Sequence, residues 1–330
     1  EIRPCLRQRR LRRAALRKRP SENMELQFLG TGAGSPSKAR NVTCTALKTG
    51  GKSNEVWLFD CGEATQHQIL RTNIRPGKIR RIFITHLHGD HIFGLPGLLS
   101  SRSFLGGADE PLCLYGPAGI RRFVESALEV SQTQLSYPIN FHEFVSDGLI
   151  LDDGEFTVRA FGLAHSLPSF AYRIEEKERA GGLQMDRLRE LGIPSGPLLG
   201  RLKNGETVTL DDGRLIDGKE YLSPPRKGRI IAVFGDTKPC PSAPAAAEGA
   251  DVLVHEATFA AGDEAMAEKV FHSTVSDAAN LAAEAGVKQL YLTHISARYA
   301  DEEQRLMLER QAQNIFPASK VVGDFDVFDI

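Results

Sequence analysis

The sequence lacks the features that mark membrane-spanning and disulfide-stabilised proteins. No apolar run approaches the roughly 18 residues that a membrane-spanning helix needs. The cysteines are odd in number and none has C-x-x-C spacing, which argues against a disulfide framework and against a cysteine zinc site. The five cysteines are Cys5, Cys44, Cys61, Cys113 and Cys240. Such sparse cysteines fit a reducing, cytoplasmic location.

The sequence also has little net charge, with 41 basic and 42 acidic residues among 330. This balance hides a split, because residues 1–23 hold nine basic and two acidic residues, whereas residues 24–330 hold 32 basic and 40 acidic ones. The near-neutral average therefore neither favours nor excludes a nucleic-acid partner.

The basic leader, residues 1–23, has no apolar core and so does not match a secretory signal. It is rich in arginine like an organellar transit peptide, but Ser21 is its only serine. A basic arm for RNA is another interpretation. We favour a third, in which Met24 is the functional start and residues 1–23 are not part of the fold.

Strand-like and helix-like segments alternate from residue 24 onward, which predicts an α/β domain over residues 24–330. Strands are predicted at Leu26–Leu29, Val42–Leu47, Val56–Phe59, Ile79–Thr85, Phe156–Phe161, Phe170–Ile174, Arg229–Phe234, Val252–His255 and Gln289–Thr293, with two short strands at the end. Helices are predicted at Ala64–Leu70, Ile120–Val130, Val275–Ala285 and Glu302–Asn314.

Residues 175–228 depart from this alternation, because they lack sustained apolar periodicity and are rich in glycine and proline. Their ten basic and ten acidic residues cancel. We expect an inserted arm without a core of its own, and long insertions of this kind are often functional.

The strongest motif is the H-x-H-x-D-H segment formed by His86, His88, Asp90 and His91, directly after a predicted strand. Imidazole and carboxylate side chains at these offsets can supply two adjacent metal ions from one loop. Three further potential ligands, His165, Asp236 and His294, each follow another predicted strand. Because α/β active sites form at strand ends, we expect these side chains to meet. A histidine-rich surface loop is the alternative for the first cluster alone.

This pattern resembles the metallo-β-lactamase superfamily, which implies an αββα sandwich with two metal ions. Carried over by motif, His86, His88 and His165 would hold one metal, and Asp90, His91 and His294 the other. Asp236 would bridge them, and Asp60 would orient the ligand loop. The ligand types suit two Zn²⁺ ions per chain, although Mn²⁺ or iron is also compatible.

Within that superfamily, four segments resemble ribonuclease Z, the tRNA 3′-processing endonuclease also called ribonuclease BN. They are the glycine-rich loop 30–36 leading to Lys38, Arg40 and Asn41; the D-C-G-E segment from Asp60; the H-E-A-T-F and H-S-T segments at 255–259 and 272–274; and the 175–228 insertion, which is similar to that family's tRNA-binding arm. Separately, Ser273 or Thr274 could merely cap a helix and Glu256 could be a helix-start acid.

The resemblance implies removal of a 3′ trailer from precursor tRNA, leaving a tRNA 3′-hydroxyl and a 5′-phosphorylated trailer. Asp90 would be a metal ligand and a proton acceptor, and Glu256 would orient His272 as the general acid. Lys38 and Arg40 would contact the RNA 3′ end. The family also implies a homodimer, and the lack of a long apolar run predicts no membrane association. A small-molecule phosphodiesterase and an RNA-binding protein with an inactive site are the alternatives.

Overall fold

The structure is a computed structural model that describes residues 24–50, 54–107, 110–178, 181–193, 196–299 and 301–330. The expectation for the basic leader falls outside this range. Among the described residues, no helix combines the length and the apolar character needed to cross a bilayer.

Two seven-stranded sheets form the centre of the fold. The first sheet has the order β16-β1-β2-β3-β4-β5-β6 and contains β1 (Glu25–Gly30), β2 (Cys44–Lys48), β3 (Val56–Phe59), β4 (Ile79–Phe83), β5 (Leu112–Pro117), β6 (Ile139–Phe144) and β16 (Val327–Asp329). The second has the order β15-β14-β13-β12-β9-β8-β7 and contains β7 (Gly148–Asp152), β8 (Phe156–Leu163), β9 (Ser169–Glu176), β12 (Ile230–Phe234), β13 (Val252–Glu256), β14 (Gln289–Thr293) and β15 (Ser319–Val321).

Helices cover the outer face of each sheet. In chain order the helices are α1 (Thr65–Leu70), α2 (Gly89–Ile92), α3 (Leu95–Phe104), α4 (Ile120–Val130), α5 (Met185–Glu190), α6 (Pro197–Lys203), α7 (Ala243–Ala247), α8 (Glu264–Lys269), α9 (Val275–Glu284) and α10 (Glu302–Gln313), with short 3₁₀ helices at Pro76–Lys78, Gly218–Tyr221 and Ala297–Tyr299. Helices α1, α3 and α4 share one apolar cluster with the first sheet, and α7, α9 and α10 share another with the second.

A third apolar cluster fills the space between the sheets, which completes the expected αββα sandwich. Strand alternation divides the residues between layers, because successive side chains point to opposite faces. In β4, Phe83 faces the other sheet and Ile82 faces the helices. Phe83 stacks on Tyr115 with ring centroids 4.8 Å apart, and Trp57 packs edge-on against Phe156 of the opposite sheet at 5.2 Å.

Most predicted elements are present within two residues of their predicted bounds, and α4 and β14 match at both ends. The predicted strand from Ile79 to Thr85 ends two residues early, since the Thr85 backbone N–H donates to the Asp60 carboxylate at 2.8 Å. Outside the arm, strands β5, β6 and β7 and helices α2, α3, α7 and α8 were not predicted.

The expectation that the inserted arm lacks a core is wrong. The described arm residues include α5, α6 and a two-stranded sheet of β10 (Thr207–Thr209) and β11 (Leu215–Asp217). They enclose a small apolar cluster of Leu188, Ile193, Leu202, Val208 and Ile216. The two segments that connect the arm to the rest of the fold are hydrogen-bonded to each other. The Ser223 backbone N–H donates to the Gly182 carbonyl at 2.8 Å.

Candidate metal centre and active site

The ends of six strands deliver the candidate site residues to one edge of the sandwich. Asp60 follows β3, the H-x-H-x-D-H segment follows β4, and His165 follows β8. Asp236, Glu256 and His294 lie at the ends of β12, β13 and β14, which run parallel to one another. Parallel strands end at the same edge, so residues far apart in sequence meet there.

The structure brings together all seven residues expected to bind metal. Their ligand atoms form two groups, within each of which every atom lies within 4.8 Å of the others: His86, His88, His165 and Asp236; and Asp90, His91 and His294. A third group of the same kind joins Asp236 and His294 to His272. The Asp236 carboxylate links the first two groups, because its Oδ2 lies 3.6 Å from His86 Nε2 and 3.3 Å from His294 Nε2.

In four of the histidines, the ring nitrogen Nδ1 lies within hydrogen-bonding distance of an oxygen atom that orients the ring. His86 Nδ1 lies 3.0 Å from Thr85 Oγ1, His91 Nδ1 lies 2.8 Å from Asp60 Oδ2, and His294 Nδ1 lies 2.9 Å from Thr258 Oγ1. His165 Nδ1 lies 2.9 Å from the Phe271 carbonyl. This leaves Nε2 of each ring free to face the centre, as metal-binding histidines require. His88 is the exception, since its Nδ1 faces His86 and His165 at 3.0 and 3.2 Å.

One buried atom tests whether this centre suits a cation. His91 is 1% exposed, and its Nε2 has no hydrogen-bond partner among the described residues. It lies 3.4 Å from Asp236 Oδ2 and 3.5 Å from Asp90 Oδ2. An unpartnered buried nitrogen is costly in a native fold unless something fills the gap. The donor set of imidazoles and carboxylates fits a divalent cation at that position.

Asp60 lies beside the H-x-H-x-D-H segment and contacts Thr85 and His91. It is 2% exposed and adopts a left-handed backbone conformation with φ of 60°. Its carboxylate accepts hydrogen bonds from the Thr85 backbone N–H and from the Thr85 hydroxyl, and it holds His91. Asp60 therefore fixes both ends of the segment that carries the histidines.

Neighbouring side chains shift the pKa values of the buried groups in this centre. Burial would raise the pKa of Asp236, but the neighbouring imidazoles of His294, His91 and His86 outweigh it and lower that pKa well below its ordinary value. Burial also lowers the pKa of His86 well below its ordinary value. A neutral His86 and an ionised Asp236 are the protonation states in which both are metal ligands.

Glu256 and His272 form a hydrogen-bonded pair beside the ligand cluster. Glu256 ends a strand and is 1% exposed, so the alternative of a helix-start acid is wrong. His272 Nδ1 lies 2.8 Å from Glu256 Oε1, and the His272 ring centroid lies 5.4 Å from that of His294. Burial would lower the pKa of His272, but Glu256 and Asp236 outweigh it and raise that pKa to about 9.

The remaining residues of the H-S-T segment and the glycine-rich loop have separate structural roles. Thr274 caps α9 through a capping box with Asp277, as the capping alternative expected. The Ser273 hydroxyl donates to the Thr237 carbonyl at 2.6 Å, which ties the H-S-T segment to the loop after β12. The glycine-rich loop reaches the centre directly, since the Gly34 backbone N–H donates to Asp90 Oδ2 at 2.8 Å.

Lys38 and Arg40 differ in exposure and in their contacts. Lys38 is exposed on the loop beside the site. Arg40 is 7% exposed, and its guanidinium donates to Thr31 Oγ1 at 2.7 Å and to the Val322 carbonyl. The placement of Arg40 therefore does not support the expected contact with RNA; its side chain fastens the loop to the body of the fold.

Sequence reasoning missed two hydroxyl groups, those of Thr85 and Thr258, which contact His86 and His294 of the candidate metal centre. Thr85 precedes the first histidine of the H-x-H-x-D-H motif, and Thr258 belongs to the H-E-A-T-F segment. Threonine at such places is too common to single out without the contacts, so only their adjacency to the motifs could have drawn attention to them.

Comparisons with known proteins agree with this geometry. A family model described as a beta-lactamase superfamily domain matches residues 223–295, and one described as the anti-Pycsar protein Apyc1 matches residues 24–165. Ribonuclease Z of Lactiplantibacillus plantarum is 58% identical over 93% of this chain and 98% of that protein. The chain belongs to the ribonuclease Z family. Ribonuclease Z of Bacillus velezensis is 54% identical over 92% of this chain and 97% of that protein.

Solved structures extend the ribonuclease Z comparison to three dimensions. The crystal structure of the human tRNase Z short form is similar with a TM-score of 0.67 and 29% identity, covering 92% of this chain and 98% of that one. The metallo-β-lactamase fold protein YhfI of Bacillus subtilis, with a TM-score of 0.64 and 19% identity, shares the fold over 93% of this chain and 100% of that one. The expected superfamily and family are both confirmed.

Proposed function

We propose that this ribonuclease Z family member is a metal-dependent endoribonuclease that cuts precursor tRNA after the mature 3′ end. The products are a tRNA with a 3′-hydroxyl and a trailer with a 5′-phosphate. Family membership at more than half identity supports the reaction. The structural observation that supports it most is that the Glu256–His272 pair lies beside the seven clustered candidate metal ligands. A metal site with an adjacent proton donor suits phosphodiester cleavage.

Two divalent cations, Zn²⁺ by preference, are part of this proposal. His86, His88 and His165 would hold one, Asp90, His91 and His294 the other, and Asp236 both. When bound, such ions supply Lewis-acid stabilisation of the phosphate charge and make water more acidic.

The protein's own groups account for the proton movements. A water oxygen forms the new bond to phosphorus, and Asp90 accepts one proton from that water. The bond from phosphorus to the tRNA 3′ oxygen breaks. His272, protonated on the strength of its pKa of about 9, gives that oxygen a proton through Nε2 while Glu256 holds Nδ1.

Substrate binding is assigned to regions outside the catalytic centre. Exposed Lys38 would contact the RNA backbone near the cut, as lysines commonly do. The inserted arm presents exposed basic side chains on a small folded unit, including Arg187, Arg201 and Lys203, and would hold a distant part of the tRNA. A homodimer in the cytoplasm completes the proposal.

The proposal is tested by a single-turnover assay on precursor tRNA carrying a 3′ trailer. Asp90→Ala should lose at least about 100-fold in cleavage rate while RNA affinity stays near wild type, because the change removes a ligand and proton acceptor but no RNA contact. Asp329→Ala, on edge strand β16, is the control. Metal analysis of the same preparations should find about two divalent ions per wild-type chain.

Unchanged cleavage by Asp90→Ala would overturn the role of Asp90. Cleavage of small phosphodiesters without cleavage of precursor tRNA by the wild type would instead favour a small-molecule phosphodiesterase.

A further inference from the structure

Two threonine hydroxyls occupy equivalent positions beside two different histidines of the candidate metal centre. Each lies between a buried carboxylate and Nδ1 of a ligand histidine. Thr85 Oγ1 lies 2.9 Å from Asp60 Oδ2 and 3.0 Å from His86 Nδ1. Thr258 Oγ1 lies 2.7 Å from Glu256 Oε2 and 2.9 Å from His294 Nδ1. Both threonines are buried, with 0% and 6% of their surface exposed.

Counting hydrogens fixes the direction of these contacts. A hydroxyl has one hydrogen, and an ionised carboxylate can only accept. Around Thr258, the His294 carbonyl at 3.1 Å also only accepts, and His272 Nδ1 at 3.3 Å has a closer acceptor of its own in Glu256 Oε1 at 2.8 Å. The hydrogen goes to Glu256 Oε2, the nearest acceptor at 2.7 Å, so the contact with His294 is a donation from the imidazole Nδ1–H to the hydroxyl.

The same count applies to Thr85. Among the described residues, the oxygen atoms that its hydroxyl contacts are the two carboxylate oxygens of Asp60. Its hydrogen goes to that carboxylate, so His86 Nδ1 must donate to the hydroxyl. A proton on Nδ1 leaves the lone pair on Nε2. His86 Nε2 and His294 Nε2 then face Asp236 at 3.6 and 3.3 Å with the lone pair that a cation needs.

We propose that Thr85 and Thr258 are positioning residues that set the tautomers of the metal ligands His86 and His294. Each hydroxyl is held by a carboxylate, Asp60 or Glu256, and in turn accepts a hydrogen bond from an imidazole that this carboxylate does not contact. The carboxylate thereby orients the imidazole through the hydroxyl. This inference rests on the proposed function in taking these histidines as metal ligands, but it makes claims about the protein alone.

The arrangement gives Glu256 two duties. Its Oε1 accepts from His272 and from the Thr237 backbone N–H, whereas its Oε2 accepts from the Thr258 backbone N–H and hydroxyl. One carboxylate thus orients the proton donor and, through Thr258, a metal ligand. A change at Thr258 should therefore weaken metal binding even in the absence of RNA.

The first test is made on metal-stripped wild-type protein. Two-bond ¹⁵N–¹H correlation spectra distinguish the tautomers of histidine, with the pH raised until each ring is neutral. His294 and His86 should carry their proton on Nδ1. A proton on Nε2 of either ring would overturn the assignment for that ring without any variant having to fold.

The second test measures Zn²⁺ affinity by chelator competition. Thr258→Val keeps the shape but removes the hydroxyl, and should weaken binding about 10- to 100-fold, as loss of an outer partner of a metal ligand commonly does. Thr258→Ser keeps the hydroxyl and should restore near wild-type affinity. Thr85→Val should behave like Thr258→Val.

Thr293→Val is the matched control, because Thr293 is a buried threonine directly before His294 whose hydroxyl has no hydrogen-bond partner among the described residues. Its affinity should equal that of the wild type. Equal loss in Thr258→Ser and Thr258→Val, or no loss in Thr258→Val, would overturn the proposal. Both readouts omit RNA, so failure of the tRNA assay would leave the tautomer assignment standing.

Discussion

At the scale of single residues, neighbours in one motif have different roles. Lys38 and Arg40 are two positions apart and were expected to act together on RNA. Burial separates them, since Arg40 is 7% exposed and satisfies Thr31 and the Val322 carbonyl while Lys38 is exposed. A buried charged donor is costly to remove, because its former acceptors lose their partner.

Replacing Arg40 should therefore affect stability, whereas replacing Lys38 should affect RNA binding. Arg40→Ala should lower the free energy of unfolding by about 1.5–3 kcal/mol, the range for hydrogen bonds to charged groups. Lys38→Ala should leave stability near wild type, weaken precursor tRNA binding, and reduce the slope of log affinity against log salt by about 1. Denaturant unfolding and salt-dependent filter binding check these outcomes. A destabilised Lys38→Ala, or a fully stable Arg40→Ala, would contradict the assignment.

At the scale of elements, the sequence predicted the positions of the candidate site residues better than it predicted the complete set of strands and helices. The ligand residues follow strands with strong local signals, such as the apolar run of β12, so their convergence could be inferred. Strands β6 and β7 are only partly buried, and the apolar–polar alternation of β6 lasts only from Ile139 to His142, which is too short a signal to single out. Pro96 and Gly97 near the start of α3 obscure its helical pattern. The contacts of Arg40 and Thr258 are tertiary, and no local pattern encodes them.

The arm shows the same limit. Its apolar residues are spread over several short segments, so no window has the periodicity of a long helix. Packing Leu188, Leu202 and Val208 against each other nevertheless makes a folded unit, and a folded arm can present its basic groups in a fixed arrangement. Its stability should therefore matter for tRNA binding and not for the chemical step.

Leu202→Ala tests this separation, because Leu202 is fully buried in the arm cluster. The change should destabilise the arm by about 2–5 kcal/mol. Precursor tRNA affinity should fall, while hydrolysis of bis(p-nitrophenyl) phosphate stays near wild type. Leu215→Ala is the matched control, since Leu215 is in the same arm but 69% exposed. Parallel loss of both activities in Leu202→Ala would mean that the arm supports the catalytic domain.

At the scale of the whole molecule, charge and apolar surface point to separate partners. Residues 24–330 hold an excess of acids, so the proposed attraction for RNA would be local, at Lys38 and the basic side chains of the arm. The last residues of α1 and α3, Leu70 and Phe104, are 71% and 83% exposed, and Leu105, which follows α3, is 50% exposed. Neighbouring exposed apolar residues of this size are typical of protein–protein contact, which is compatible with the proposed dimer.

Mixing two defective variants tests whether that dimer is functional. If the arm of one subunit holds tRNA for the centre of the other, Asp90→Ala supplies a working arm and Leu202→Ala a working centre. Equal amounts, allowed to exchange subunits, should recover about a quarter of wild-type precursor cleavage, since half of the dimers are mixed and each has one working combination. Recovery should disappear when Phe104→Glu, placed in both variants, prevents association, and light scattering should then report monomers. Mixed dimers that recover no activity would mean that arm and centre act within one chain, because neither variant has both.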